Sequence, residues 1–194
     1  MSSGRRLLLS LAVLAAMAGA ACGDPPDKEL QQAEGAIDAA RAAGADQYAH
    51  DEFAAAEDAL KRAREAVVQR DYRQALNNAL DARERALAAT KEAADRKAAA
   101  RLAAEHALGE ANIALNQSRT KLKAAETAHA PAKALTAGRR AIDDAAITLQ
   151  EARTAFLRGD YPVSVNAAGS AATRLRAVTR DLDVTMTAVG RRRR

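Results

Sequence analysis

HDEFAAAEDALKRAREAVVQRDYRQALNNALDARERALAA, residues 50–89, is the stretch that decides the fold. Phe53, Ala56, Leu60, Ala63 and Val67 follow one another at spacings of 3, 4, 3 and 4, which lines a single face of an α-helix. Asp71 stands directly before a second run of the same kind, where its carboxylate can accept hydrogen bonds from first-turn amides and cap a new helix. On the remaining faces Glu57 precedes Lys61, Asp58 precedes Arg62 and Asp81 precedes Arg85, each acid four residues before its base. Such pairs support an exposed helix by a few tenths of a kcal/mol each, about 0.2–0.5. The spacing therefore predicts a helical hairpin: one helix from His50 to Arg70, a turn at Asp71, and a helix beyond it.

The same pattern returns further along the chain, in residues 139–178. A shift of 89 residues lays Phe53 on Ile142, Ala56 on Ala145, Leu60 on Leu149, Ala63 on Ala152, Val67 on Phe156, Asp71 on Asp160 and Tyr72 on Tyr161. Two divergent copies of one helical unit are the economical reading. In the first copy a further helix spans Lys28 to Ala43 and stops at Gly44, a residue suited to a helix C-terminus. In the second, Pro131 interrupts the pattern and a helix resumes near Thr136 and runs to Arg158. Gly159 closes that helix, Asp160 caps the next, and Pro162 fits its first turn, where no amide hydrogen bond is lost. The last helix runs to about Val189, with Gly190 as its terminator. Residues 72–129 contain no proline, and only Gly109 argues for a break there.

Alanine and charged side chains dominate, aromatic residues make up 3% of the chain, and strand-forming residues are scarce. The fold class is all-α: two divergent copies of a three-helix unit, a hairpin plus one helix, with residues 72–129 available as a long central helix. The expected units are 28–111 and 112–189. Alanine buries little apolar surface at about 25 cal/mol per Å², so small cores and modest stability are expected. Residues 22–111 hold 13 basic and 18 acidic side chains, a net of −5, whereas residues 112–190 hold 11 and 7, a net of +4. The split fits electrostatic contact between halves, and equally the ordinary scatter of surface charge.

The first residues carry an address. Arg5 and Arg6 precede an apolar run from Leu7 to Met17 broken only by Ser10, and small residues follow from Ala18 to Ala21, the layout of a secretory signal peptide over residues 1–21. The run is shorter than the roughly 20 apolar residues a transmembrane helix needs. Ala20, Ala21 and Cys22, the lone cysteine, resemble the end of a lipobox, with Gly19 where leucine is usual. That resemblance implies lipidation at Cys22, a short linker over residues 22–27, and stable anchoring by several acyl chains such as palmitate. With Gly23 rather than aspartate after the cysteine, it implies the periplasmic face of the outer membrane of a Gram-negative host. The alternative is a plain signal peptide cut after Ala18, Gly19 and Ala20, leaving a soluble periplasmic protein with an odd thiol.

Tyr48, Ala49, Asp51, Glu52, Phe53, Ala54 to Ala56 and Glu57, then Arg70, Asp71, Tyr72, Ala75 and Leu76, resemble a family of bacterial envelope lipoproteins, domain of unknown function 4398. The resemblance covers residues 28–100 and, through the repeat, 120–185. It implies a helical, exported protein and attaches no activity.

No motif for catalysis emerges. His50, His106 and His129 are scattered with no partner at metal-ligand spacing, and surface histidines are the simpler reading. Adjacent acids at Asp51 and Glu52, Glu57 and Asp58, and Asp143 and Asp144 point to different helix faces and read as solvated charges rather than acid–base pairs. There is no nucleophile elbow and no phosphate-binding loop. Tyr72 and Tyr161 sit at equivalent turns, which suits packing. The expectation is a non-enzyme without metal or cofactor. Two function classes remain: a membrane-tethered scaffold or adaptor contacting another envelope component through a helix face, and a periplasmic module that binds a lipid or small molecule between helices. Nucleic acid is not an expected partner of an exported chain. Arg191, Arg192, Arg193 and Arg194 form the one strong charge feature of the mature chain. They are a candidate contact with anionic lipid, lipopolysaccharide or acidic wall polymer, or else a solvated end that complements the helix dipole.

Overall fold

The computed structural model describes residues 24–192, and these contain six α-helices and no strand. They are α1 (Asp27–Ala42), α2 (Ala45–Tyr48), α3 (His50–Val68), α4 (Tyr72–Thr127), α5 (Ala132–Leu157) and α6 (Tyr161–Arg192). The chain divides into two compact units between Asp95 and Arg96, inside α4. The boundary thus falls earlier than the expected junction of 111 and 112. Ala107, Leu108 and Ala111 pack with Leu115, Ile142 and Leu175 in the second core, and this burial assigns them to the second unit. Helix α4 passes Gly109 without a break, and nothing crowds that glycine's α-carbon.

In the first unit, α1, α3 and the first part of α4 pack around Ile37, Phe53 and Leu60 and a majority of alanines. Antiparallel register is visible in the ion pairs between α1 and α3. Arg64 meets Glu34 at 2.8 Å and Arg41 meets Glu57 at 2.7 Å, and both pairs of numbers sum to 98. Arg85 on α4 reaches back to Glu52 at 3.2 Å. Gly44, with φ at 85°, turns the chain out of α1, and the short α2, unforeseen in the sequence, buries Ala45 and Tyr48 before α3 starts.

In the second unit, the later part of α4 packs with α5 and α6 around Leu115, Ile142, Leu149, Leu175 and Leu182. This core holds more large side chains than the first. One buried polar group crosses it: the Ser118 hydroxyl lies 2.8 Å from the Ala114 carbonyl, 3.0 Å from the Leu175 carbonyl and 3.0 Å from the Thr179 hydroxyl. Helix α5 begins at Ala132 rather than near Thr136, with Pro131 at its N-cap, where the missing amide costs nothing. Helix α6 runs through Gly190 to Arg192, so Gly190 does not terminate it.

One burial register serves both units. Every buried position from Phe53 to Ala93, Ala59 excepted, has a buried counterpart 89 residues on, from Ile142 to Leu182. The first helices match at an offset of 85, with Ala33 over Ser118, Ala40 over Ala125 and Ala45 over Ala130. The four-residue difference is about one helical turn, which preserves the buried face. Four of the six seam residues, Phe53, Leu60, Ile142 and Leu149, are buried as expected. Val67 and Phe156 are only half-buried, because each lies in the last turns of its helix.

Candidate functional site

Both hairpin turns are built by the same backbone bonds. Asp71 donates its amide to the Ala66 carbonyl (2.9 Å), and Asp160 donates to Ala155 (3.0 Å). Asp71 also caps α4, its carboxylate accepting the Gln74 amide at 3.0 Å. The residue before each aspartate takes a left-handed conformation, Arg70 with φ at 60° and Gly159 at 80°. Tyr161 packs its ring against Phe156 with centroids 5.5 Å apart, a packing role for this turn tyrosine. At the helix ends before these turns, Val68 is 85% exposed and Leu157 84% exposed, again 89 residues apart. Sequence patterning gave no sign of these outward apolar side chains.

Charges pair across helices more than along them. Asp81 bonds Arg85 at 3.0 Å, the expected partner. Glu57, expected beside Lys61, instead holds Arg41, and Arg62, expected beside Asp58, lies 3.6 Å from Asp81. The Glu57 hydrogen bond raises the pKa of Arg41 above the usual guanidinium value, and Asp81 does the same for Arg85. Both side chains stay cationic in any case, so neither is a proton carrier.

His50, His106 and His129 are exposed, and no three metal-ligating side chains gather among the described residues. Asp51, Asp58, Asp143 and Asp144 are exposed, in keeping with solvated charges. No helix of the described residues is long and apolar enough to cross a membrane. The signal peptide and Cys22 lie outside the described residues, as do Arg193 and Arg194. Arg191 is exposed on the last turn of α6, and the backbone of Arg192 continues that helix.

The surface depressions are open grooves. In the first unit a charged one of about 370 Å³ runs between α1 and α3, with Glu34, Asp38, Arg41, Glu57, Lys61 and Arg64 along it. Ion pairs join Arg41 to Asp38 and Glu57 and Arg64 to Glu34, so that most of those charges are met internally. In the second unit a smaller groove, about 240 Å³, separates α5 from α6 and is floored by Ala134, Ala137, Gly138, Ala141, Val178 and Leu182. Gly138 is buried there, and a methyl group on it would sit 3.4 Å from Leu182 and 3.5 Å from Leu122. No aromatic ring lines either groove.

No protein-family model matches this chain, and no curated protein or solved structure is significantly similar to it.

Proposed function

We propose that this chain is a non-catalytic, membrane-tethered helical scaffold or adaptor of the bacterial cell envelope, held by lipid on Cys22. The single observation that carries the reading is where its large apolar side chains go. Several face outward from helices, while the grooves are open and carry no aromatic lining. On α4, Leu80 and Leu87 are exposed one heptad apart in the first unit, and Leu102 and Ile113 are exposed eleven residues apart in the second. Both spacings keep a pair on one helix face, the form in which a partner helix is recognised. A pocket for a drug-sized apolar ligand would normally carry aromatic lining.

The anchor geometry fits the same reading. Helix α1 starts at Asp27, five residues after Cys22. At no more than about 3.6 Å per residue, a lipid on Cys22 would hold that helix end within about 18 Å of its membrane. The register that sums to 98 sets Asp27 level with Asp71, so the α3–α4 turn with exposed Val68 shares the tethered end of the first unit. We read the two units as divergent copies of one three-helix module, on the strength of the shared burial register.

The test is isolation from membranes with the anchor intact, after cross-linking in the cell. A protein partner that is lost in a Leu80→Glu, Leu87→Glu variant or a Leu102→Glu, Ile113→Glu variant is the expected result. A bound lipid with no protein partner would replace the scaffold with a lipid-binding module.

A further inference from the structure

The second unit is electrically lopsided along its helices. Around the turn at 128–131, residues 119–140 and 180–192 hold nine basic and three acidic side chains, whereas residues 96–118 and 141–179 hold seven and six. Two of the three acids at that end are already used, Asp183 by Lys121 at 2.6 Å and Glu126 by Arg139 at 2.6 Å. Those contacts also fix the levels of the three helices. Lys123 follows Lys121 on α4, Lys133 lies six residues beyond Arg139 toward the turn on α5, and Arg191 lies eight residues beyond Asp183 on α6. At 1.5 Å per residue all three fall within about 12 Å of the same end. The side chains of Lys123, Lys133, Arg140 and Arg191 are exposed and make no ion pair among the described residues.

Helix dipoles account for part of this charge but not for all of it. Lys123 and Arg191 lie near helix C-termini, where a cation is favourable. Lys133 lies in the first turn of α5, which has no acid, and a cation there opposes the dipole. Its charge therefore adds nothing to the stability of the helix that carries it. Lys133 and Arg140, seven residues apart on one face, flank a cleft floored by Ala137 and Ala141, which Thr136 and a single acid, Asp144, also line. Those two alanines also line the groove toward Val178, Asp181 and Leu182. Val184 adds an apolar side chain that is 70% exposed.

We infer that this end of the second unit is a contact surface for an anionic phospholipid bilayer, formed by Lys123, Lys133, Arg140 and Arg191. The inference deepens the envelope reading above and rests on it. Phosphate head groups complement the cations, and the lipid interface also accepts the alanine floor and Val184. A wall polymer would match only the charge. Each basic side chain close to an anionic leaflet contributes attraction that salt screens over about 8 Å at physiological ionic strength.

The Cys22→Ser protein, which has no anchor, is titrated with vesicles of phosphatidylcholine alone and with vesicles containing about a quarter phosphatidylglycerol, at low and high salt. Expected is binding to the anionic vesicles only, weakened by salt. Lys123→Gln, Lys133→Gln, Arg140→Gln and Arg191→Gln combined should lower it by at least about tenfold, and removal of residues 192–194 should lower it while leaving salt-sensitive binding. Thermal melts of the variants should match the parent, since all four side chains are exposed. Undiminished binding by the fourfold variant, with loss on removing 192–194, would overturn the surface and leave the tail as the contact. Equal binding to neutral vesicles, or no binding to the anionic vesicles at low salt, would overturn the lipid assignment. None of these outcomes bears on the scaffold reading, which the cross-linking experiment decides separately.

Discussion

Arg70 and Gly159 hold the same left-handed backbone conformation at the same point of two hairpins, 89 residues apart, with φ at 60° and 80°. Glycine adopts that conformation without strain, whereas a residue with a β-carbon meets a cost of about 1–2 kcal/mol. Replacing Arg70 with Gly removes the strain but adds chain entropy to the unfolded state, which offsets about 0.4–1 kcal/mol of the gain. Arg70→Gly should therefore stabilise the first unit by a net of roughly 0.5 kcal/mol. Gly159→Ala should destabilise the second by a similar net amount, roughly 0.5 kcal/mol. Denaturant melts of the two variants check both signs.

Leu149 is 1% exposed and Leu60 is 7% exposed at equivalent places on the seam. Leu149→Ala should cost about 2–5 kcal/mol, with Leu60→Ala in the lower part of that range because it is less completely buried and borders an open groove. Hydrogen exchange, read separately for the amides of the two units, tests this. Equal protection of parent and Leu149→Ala amides in α5 and α6 would refute the assignment of the core.

Two serines buried to the same extent should behave oppositely. Ser118 is hydrogen-bonded across the second core, so Ser118→Ala should destabilise by about 1 kcal/mol. Ser164 is buried with no hydrogen-bond partner for its hydroxyl, and the first unit has Ala75 at the equivalent position. Ser164→Ala should be neutral or stabilising, by up to about 1 kcal/mol. A thermal melt in which Ser164→Ala loses stability would show that the hydroxyl is satisfied in solution.

If Cys22 carries the lipid, Cys22→Ser should move most of the protein from the membrane fraction to the soluble periplasmic fraction. The basic surface alone would leave a residual association that high salt removes. Fractionation at two salt concentrations reads both effects. Salt-resistant membrane association in the variant would refute the anchor.

By itself the sequence determined the all-α class, the seam through Phe53, Leu60, Ile142 and Leu149, and the turns at Asp71 and Asp160. These depend on periodicity and capping, which act between residues a few positions apart. Only the tertiary structure decided that Ala107, Leu108 and Ala111 belong to the second core, that Glu57 serves Arg41 rather than Lys61, and that Lys123, Lys133 and Arg191 lie toward one end. A helix fixes which residues share a face but not which neighbouring helix that face meets. Alanine-rich helices are especially mute on this point, because many of their faces are small and apolar enough to pack. The choice is made when three helices bury their faces together, and charges far apart in the chain then become neighbours.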